Sequence, residues 1–388
     1  MPAHRSTPRQ PQPARRPLTA LLSLLLAALL TAVLTACAGS TAGSTAGSGS
    51  GAAGSSDLSR VTLTVGSPCK ACLKRLLIAS GQDKNTPYRI NWADFDSTPT
   101  LVEAMKAGKV DVSQGGETGV LFALGNGADL KLLGAVSQYR SGGTVVLVKK
   151  GSPITDLAGL RGKKVAVPFY TAQHYQFARS LEAAGLKWSD VNAVNLTTTD
   201  GLAAFNSGDV SAFVIWDPNA AVAELHHDAR IIQELGSVLP TYSALYATAA
   251  ATTDPGKRAA LEDLARRSVR AFAWVNSHRT QWAQELSGLA QIPLDSAQLA
   301  ADRSEAQLGP ADAEVRASWQ AEIEYFRGQN QIKQSYPIAD RIVPGFDAVI
   351  ADELAKNGGR PSPTGTAPGT APGTPAAAPA GTPTGSHS

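Results

Sequence analysis

The chain has 388 residues, 43% of them hydrophobic and 17% charged, enough apolar material for about two domains of ordinary size, and this excludes a wholly disordered protein. Its formal charge of +3 originates in the first 36 residues, which hold Arg5, Arg9, Arg15 and Arg16 and no acid; without them 31 cations face 32 anions. The body therefore lacks the basic excess that neutralises a phosphate backbone, and no nucleic-acid partner is expected.

Residues 1–17 are polar and Arg-bearing, and Leu18 to Cys37 (LTALLSLLLAALLTAVLTAC) is apolar and uncharged, the layout of an export signal. Its length would also suit a single spanning helix. Leu34-Thr35-Ala36-Cys37 favours the first reading, because it is similar to the bacterial lipobox, where small residues admit a signal peptidase and the Cys carries lipid. Residues 1–36 are then a lipoprotein signal peptide, and Cys37 is the lipidation site. Residues 37–57 form a flexible tether of small residues that spans about 25 Å and holds the body on the extracytoplasmic face of the cell membrane.

Strand-like runs alternate with helical spacing through the first half. The strands are Val61 to Gly66, Tyr88 to Phe95, Lys109 to Gln114, Leu130 to Val136, Thr144 to Lys150, Lys163 to Pro168, Val191 to Leu196, Val210 to Trp216 and Tyr242 to Ala250. Helical spacing falls between many of them, as at Thr100 to Ala107 and Gln173 to Ala184, which implies parallel sheets with helices on both faces. From Pro255 to Lys356 the pattern is almost entirely helical, and residues 357–388, rich in Pro, Gly, Thr and Ala, read as a disordered tail.

Two stretches a hundred residues apart share one plan. In Ala104 to Asp111 and again in Ala204 to Ser211 a helix ends, a Gly caps it and a buried strand follows, which suggests two similar α/β lobes. Ligands in open α/β sheets sit beyond the carboxyl ends of strands, so two facing lobes make a cleft.

Gly151-Ser152-Pro153-Ile154, Asp156 to Val167 (DLAGLRGKKVAV), Thr171-Ala172-Gln173-His174-Tyr175, Gly208-Asp209-Val210 and Trp216-Asp217-Pro218 together resemble the SsuA/TauA group, the sulfonate, taurine and nitrate binding proteins of ABC importers. The resemblance covers about Thr62 to Ile350. It implies an α/β, two-lobed periplasmic-binding-protein-like fold (type II) with the ligand in the inter-lobe cleft. Residues 58–148 and 245–356 would form lobe I, residues 149–244 lobe II, with crossovers near Val148 and Leu245.

Four strand-end loops are candidates for holding a ligand, since exposed amides and the helix dipole attract an anion there. Ser67 and Cys69 follow the first strand, and Cys69 with Cys72 forms a C-x-x-C pair. A structural disulfide in an oxidising compartment competes with a thiol-exchange pair, and zinc would need more ligands than the neighbourhood supplies. Glu117 and Thr118 follow Gly115-Gly116; Glu117 could pair with a ligand amine or serve its own helix. Tyr170, Thr171, Gln173 and His174 form the third group. The family has small residues where Tyr170 and Gln173 stand here, and His174 is either a ligand contact or scaffold. Trp216 can wall the cleft, and Asp217 can cap the next helix or receive an amine.

The chain carries no G-x-S-x-G, no H-E-x-x-H and no complete nucleophile and base set, and no cofactor or metal is expected. His226-His227-Asp228 reads as an exposed helix face. The resemblance implies a monomeric, lipid-anchored, non-enzymatic receptor that hands an aliphatic sulfonate, taurine or a similar small anion to an ABC permease and its ATPase. Alternatives are a binder of nitrate or a pyrimidine precursor, and an exported thiol-disulfide enzyme using Cys69 and Cys72.

Overall fold

The computed structural model describes residues 57–140, 143–239 and 242–359. The expected signal peptide, Cys37 and nearly all of the tether and tail lie outside these residues. Among the described residues no helix is long and apolar enough to cross a membrane.

The chain begins with β1 (Thr62–Ser67), α1 (Leu73–Ala79), β2 (Arg89–Asp94), α2 (Thr98–Lys106), β3 (Val112–Gly115), α3 (Glu117–Gly125) and β4 (Leu130–Gln138). It continues with β5 (Thr144–Lys149), β6 (Lys164–Val167), α4 (Ala172–Ala183), β7 (Asn192–Asn195), α5 (Thr198–Ser207), β8 (Ala212–Trp216), α6 (Asn219–His226) and β9 (Ala229–Glu234). After β10 (Ser243–Thr248) come α7 (Ala249–Thr253), α8 (Pro255–Ser277), α9 (Arg279–Ala290), α10 (Leu294–Arg303), β11 (Ala306–Gly309), α11 (Ala313–Gly328) and α12 (Phe346–Lys356).

Two sheets result, ordered β11-β4-β10-β3-β1-β2 and β7-β6-β8-β5-β9. They repeat one plan. In the first, β1 pairs in parallel with β2 and β3, and β10 runs antiparallel between β3 and β4. In the second, β6 pairs in parallel with β7 and β8, and β5 runs antiparallel between β8 and β9. The echo in the sequence marks equivalent corners of this plan: Gly108 precedes β3 and Gly208 precedes β8, with φ of +69° and +82°, where only Gly escapes a Cβ clash.

Both sheets are thus mixed, whereas the alternation of strands and helices predicts parallel ones. The antiparallel members are strands that enter from the other lobe or from the helical region, so no right-handed crossover fixes their direction. The crossover also falls earlier than expected. β5 pairs only within the second sheet, so the chain changes lobes between Gln138 and Thr144 rather than near Val148. An apolar run such as TVVLVK, buried along its centre, carries no mark of which sheet it joins. The return precedes Ser243, close to the expected Leu245. Strands β9 and β11 escape the sequence reading: β9 is mostly half-buried and β11 has four residues.

The first sheet packs one face on α1, α8, α9, α10 and α12 and the other on α2, α3 and α11; the cores include Leu77, Trp282 and Phe346 on one side and Val120, Trp319 and Phe326 on the other. The second sheet is covered by α4 on one face and α5 and α6 on the other.

Candidate functional site

Each lobe offers the cleft the same two corners, those after its central parallel strands. Lobe I presents the β1–α1 loop (Pro68, Cys69, Cys72) and the β3–α3 turn (Gly115, Gly116); lobe II presents the β6–α4 turn (Thr171, Ala172, Gln173) and the β8–α6 loop (Trp216, Asp217, Pro218). Between them lies a cavity of about 220 Å³. Their convergence follows from the fold, because all four sit at carboxyl ends of strands.

Two helix starts face each other across the cleft. Gly116 is the N-cap of α3, Ala172 is the first residue of α4, and a Cβ built on Gly116 would lie 3.7 Å from the Ala172 amide nitrogen. First-turn amides have no acceptor within their own helix, so the positive ends of two helices from opposite lobes meet here. Gly115 is required for close packing within lobe I, since a Cβ there would fall 2.7 Å from Pro68 Cγ and 2.9 Å from Thr98 Oγ1. The arrangement suits an anion held by backbone dipoles without a full countercharge.

Of the residues singled out from the sequence, Cys69, Thr171, Gln173, Trp216 and Asp217 line the cavity; Ser67, Glu117, Thr118, Tyr170 and His174 do not. Cys69 and Cys72 are joined in a disulfide. The Cys69 carbonyl accepts from Arg75 Nη1 at 3.2 Å and from the Ser67 hydroxyl at 3.4 Å, which uses Ser67 to shape the loop.

The Thr171 hydroxyl donates to the Pro168 carbonyl at 2.6 Å and accepts from the His174 amide. It is an N-cap, and its proton is not free for a ligand. His174 is scaffold. Its Nδ1 accepts from the Tyr170 amide at 3.2 Å, its ring stacks on Phe169, and burial lowers its pKa to about 4. Tyr170 stands at a φ of +61° and sets its ring edge-on to Phe122 of lobe I, with centroids 4.7 Å apart. It braces the flank of the cleft rather than its floor.

Glu117 and Thr118 turn inward because α3 is buried on nearly every face. Neither carboxylate oxygen of Glu117 is hydrogen-bonded to another residue, and Thr118 Oγ1 donates to Glu322 of α11. Burial raises the pKa of both carboxyls, and the charge of Glu117 adds to the rise at Glu322. A Glu at the first position of α3 that stays protonated leaves the positive end of that helix uncancelled for the cleft. The amine-pairing role predicted for Glu117 is not available to a side chain outside the cavity wall.

Asp217 accepts from the Ala221 amide at 3.0 Å through Oδ1, holding the start of α6, while Oδ2 is buried without a partner. Burial pushes its pKa up to about 6 against the pull of Arg303, 3.8 Å away. The sequence reading missed Gln114, Thr98 and Gln176, which also line the cavity. Gln176 lies one helical turn from Gln173 and so shares its face, a signal that was available. Among the described residues no group of three or more His, Cys, Asp or Glu could hold a metal, and His226 contacts Asp295 at 2.9 Å.

Two α/β lobes of matching topology around a cleft with opposed helix starts define the two-lobed solute-binding proteins of type II periplasmic-binding-protein fold. Residues 96–278 match the family model described as NMT1/THI5 like. The aliphatic sulfonates-binding protein of Escherichia coli (strain K12) is 30% identical over 255 residues, 66% of this chain and 79% of that protein. The taurine-binding periplasmic protein of the same organism is 28% identical over 151 residues, 39% of this chain and 46% of that one. The crystal structure of the periplasmic aliphatic sulphonate binding protein SsuA from Escherichia coli superposes with a TM-score of 0.65 at 28% identity, covering 72% of this chain and 97% of that chain. The chain belongs to the aliphatic sulfonate-binding (SsuA/TauA-like) family.

Proposed function

We propose that this chain is the extracytoplasmic solute-binding component of an ABC importer and that it binds an aliphatic sulfonate or a similar small anion without transforming it. The observation that carries the reading is the meeting of Gly116 and Ala172, two helix starts from opposite lobes. A sulfonate placed there contacts both lobes only when they are closed, so binding shifts the population toward the closed form. The side chains proposed to contact the ligand are Gln173 and Trp216, beside the amides of Ala172 and Gly116. Membrane anchorage through a lipidated Cys37, and delivery to a permease with its ATPase, belong to the same proposal.

Thermal-shift screening and calorimetry with alkanesulfonates, taurine, nitrate and pyrimidine precursors test it. A cleft ligand at about 100 times its dissociation constant adds about 2.7 kcal/mol of stability. Sulfonate binding with the ligand recovered unchanged supports the reading; no response to any sulfonate, or consumption of the sulfonate, overturns it.

A further inference from the structure

The Cys69–Cys72 disulfide stands in the wall of the cleft: both residues line the cavity, Cys69 half-buried and Cys72 buried. A bond between residues three apart closes a very short loop and so removes little entropy from the unfolded chain. Lobe I also has an extensive core that runs from Leu63 to Phe346 without either cysteine. What the bond fixes is the shape of the β1–α1 loop. The Cys69 carbonyl accepts from the Cys72 amide at 3.3 Å, from Arg75 Nη1 at 3.2 Å and from the Ser67 hydroxyl at 3.4 Å, so the bond and three hydrogen bonds set one conformation together. Pro68, the residue before Cys69, is wedged against the β3–α3 turn, where a Cβ on Gly115 would lie 2.7 Å from Pro68 Cγ, and Gly116 at the start of α3 follows directly. Nonbonded sulfurs need more room than bonded ones. Reduction therefore turns a side chain away, and for Cys69 the open side is the cavity. Close-packed neighbours pass such a shift on, here from Cys69 through Pro68 to the turn that aims the α3 amides.

We propose that this disulfide is a redox switch on ligand binding: the oxidised chain holds the anion, and reduction by a small dithiol releases it. The thiolate of the dithiol attacks Sγ of Cys69, the more exposed sulfur; the S–S bond breaks and Cys72 leaves as a thiolate. The second thiol of the reductant gives its proton to that thiolate and attacks the mixed disulfide, and the reductant departs as a cyclic disulfide. Cys69 takes up the last proton from solvent, so two electrons and two protons have passed to the two cysteines. An anion held between the lobes covers Cys69 and protects the bond. By linkage, the factor by which reduction weakens binding is the factor by which the ligand disfavours reduction. The proposal rests on the anion reading of the Gly116–Ala172 approach and adds a regulation of that site.

Calorimetry with propanesulfonate on the purified chain, first oxidised and then reduced with dithiothreitol, tests it. The reduced chain should bind at least about tenfold more weakly while keeping its far-ultraviolet circular dichroism. The midpoint potential of the disulfide, followed in dithiothreitol redox buffers by thiol labelling at Cys69, should fall by about 30 mV for each tenfold of that loss once propanesulfonate saturates both forms. Cys69→Ser combined with Cys72→Ser should bind as the reduced chain does and should not respond to the reductant. Equal affinity of the two redox states, with a midpoint potential that the sulfonate does not move, overturns the switch and leaves the anion reading standing. A reduced chain that unfolds overturns it too, because the bond is then a structural staple. The two states of the wild-type chain decide even if the variant fails to fold. Absence of binding by the oxidised chain to propanesulfonate and every other sulfonate overturns the anion reading and this one with it.

Discussion

Arg303, the last residue of α10 in lobe I, grips Glu224 of α6 in lobe II through two nitrogen–oxygen contacts of 2.6 and 3.0 Å. The pair is a bidentate fork, partly withdrawn from water, and it joins elements of the two lobes beside the cleft, with Asp217 3.8 Å from the same guanidinium. An interaction made between lobes favours their closed arrangement whether or not a ligand is present.

Arg303→Met should therefore weaken ligand binding by about 1.5 to 3 kcal/mol, the worth of hydrogen bonds to charged groups. The loss arises because closure no longer gains the pair, and small-angle scattering of the ligand-free variant should show a larger radius than wild type. A double-mutant cycle with Glu224→Gln isolates the pair. If the two substitutions add without coupling, the contact does not govern closure.

Glu117 and Glu322 make the stability of the chain depend on pH in an unusual direction. Burial raises both carboxyls above the value of about 4.3 of an unfolded Glu. Between that value and their folded values the native state binds more protons than the unfolded one, so stability is full below the unfolded value and falls as pH rises, by up to about 1.4 kcal/mol per pH unit for each group. Glu117→Gln should flatten the decline of melting temperature between pH 5 and 8. An unchanged slope would show that Glu117 is ionised in the folded state.

His174 acts in the opposite sense. Its imidazole, lowered to about 4 by burial, stays neutral while an unfolded His would take up a proton below about 6.5. Its contribution is present above that value and falls as pH drops toward 4, by up to about 1.4 kcal/mol per unit. A His174→Gln variant, measured from pH 4 to 7, should lose less stability on acidification than wild type. A parallel loss would mean that the ring is protonated in place.

Local chemistry made much of the fold legible. Apolar runs bounded by turns announce β1 through β8, and Gly108 and Gly208 announce the repeated corner, because a left-handed residue before a buried strand requires Gly. Strand direction and sheet membership were not legible, since they depend on which lobe a strand enters from. The cleft loops were found because a residue after a central strand sits near a ligand by topology. Which side chains face the cavity was harder: Glu117 stands only one residue beyond Gly116, yet α3 is buried almost all round and carries Glu117 into the core. The apolar side of the cavity had no local signature: Leu76 of α1 follows the first cleft loop directly, whereas Phe272 and Trp282 come from helices far later in the chain, and only packing unites them.

The close approach of the two helix starts makes Gly116 sensitive to size rather than to backbone conformation. Its φ of −55° is open to any residue, and an added Cβ would meet only ordinary contacts of 3.7 and 3.8 Å. Gly116→Ala should bind a sulfonate nearly as wild type does. Gly116→Val places further methyl groups where the anion approaches the amides, and should weaken binding at least tenfold, or about 1.4 kcal/mol. The melting temperature of the ligand-free protein should change little. Equal affinity of the Val variant would place the anion elsewhere in the cleft.

Thr171 separates a capping residue from a ligand contact. Its proton goes to the Pro168 carbonyl and its oxygen accepts from the His174 amide, so Thr171→Ala should cost about 0.5 to 2 kcal/mol of stability as a lost N-cap. Thr171→Ser retains both hydrogen bonds and should recover most of that loss. Affinity should follow the same order, because the Ala172 amide is aimed by the cap, and the Ser variant should bind as wild type does. A variant that keeps wild-type stability and loses binding would reverse the assignment and make the hydroxyl a direct donor to the anion.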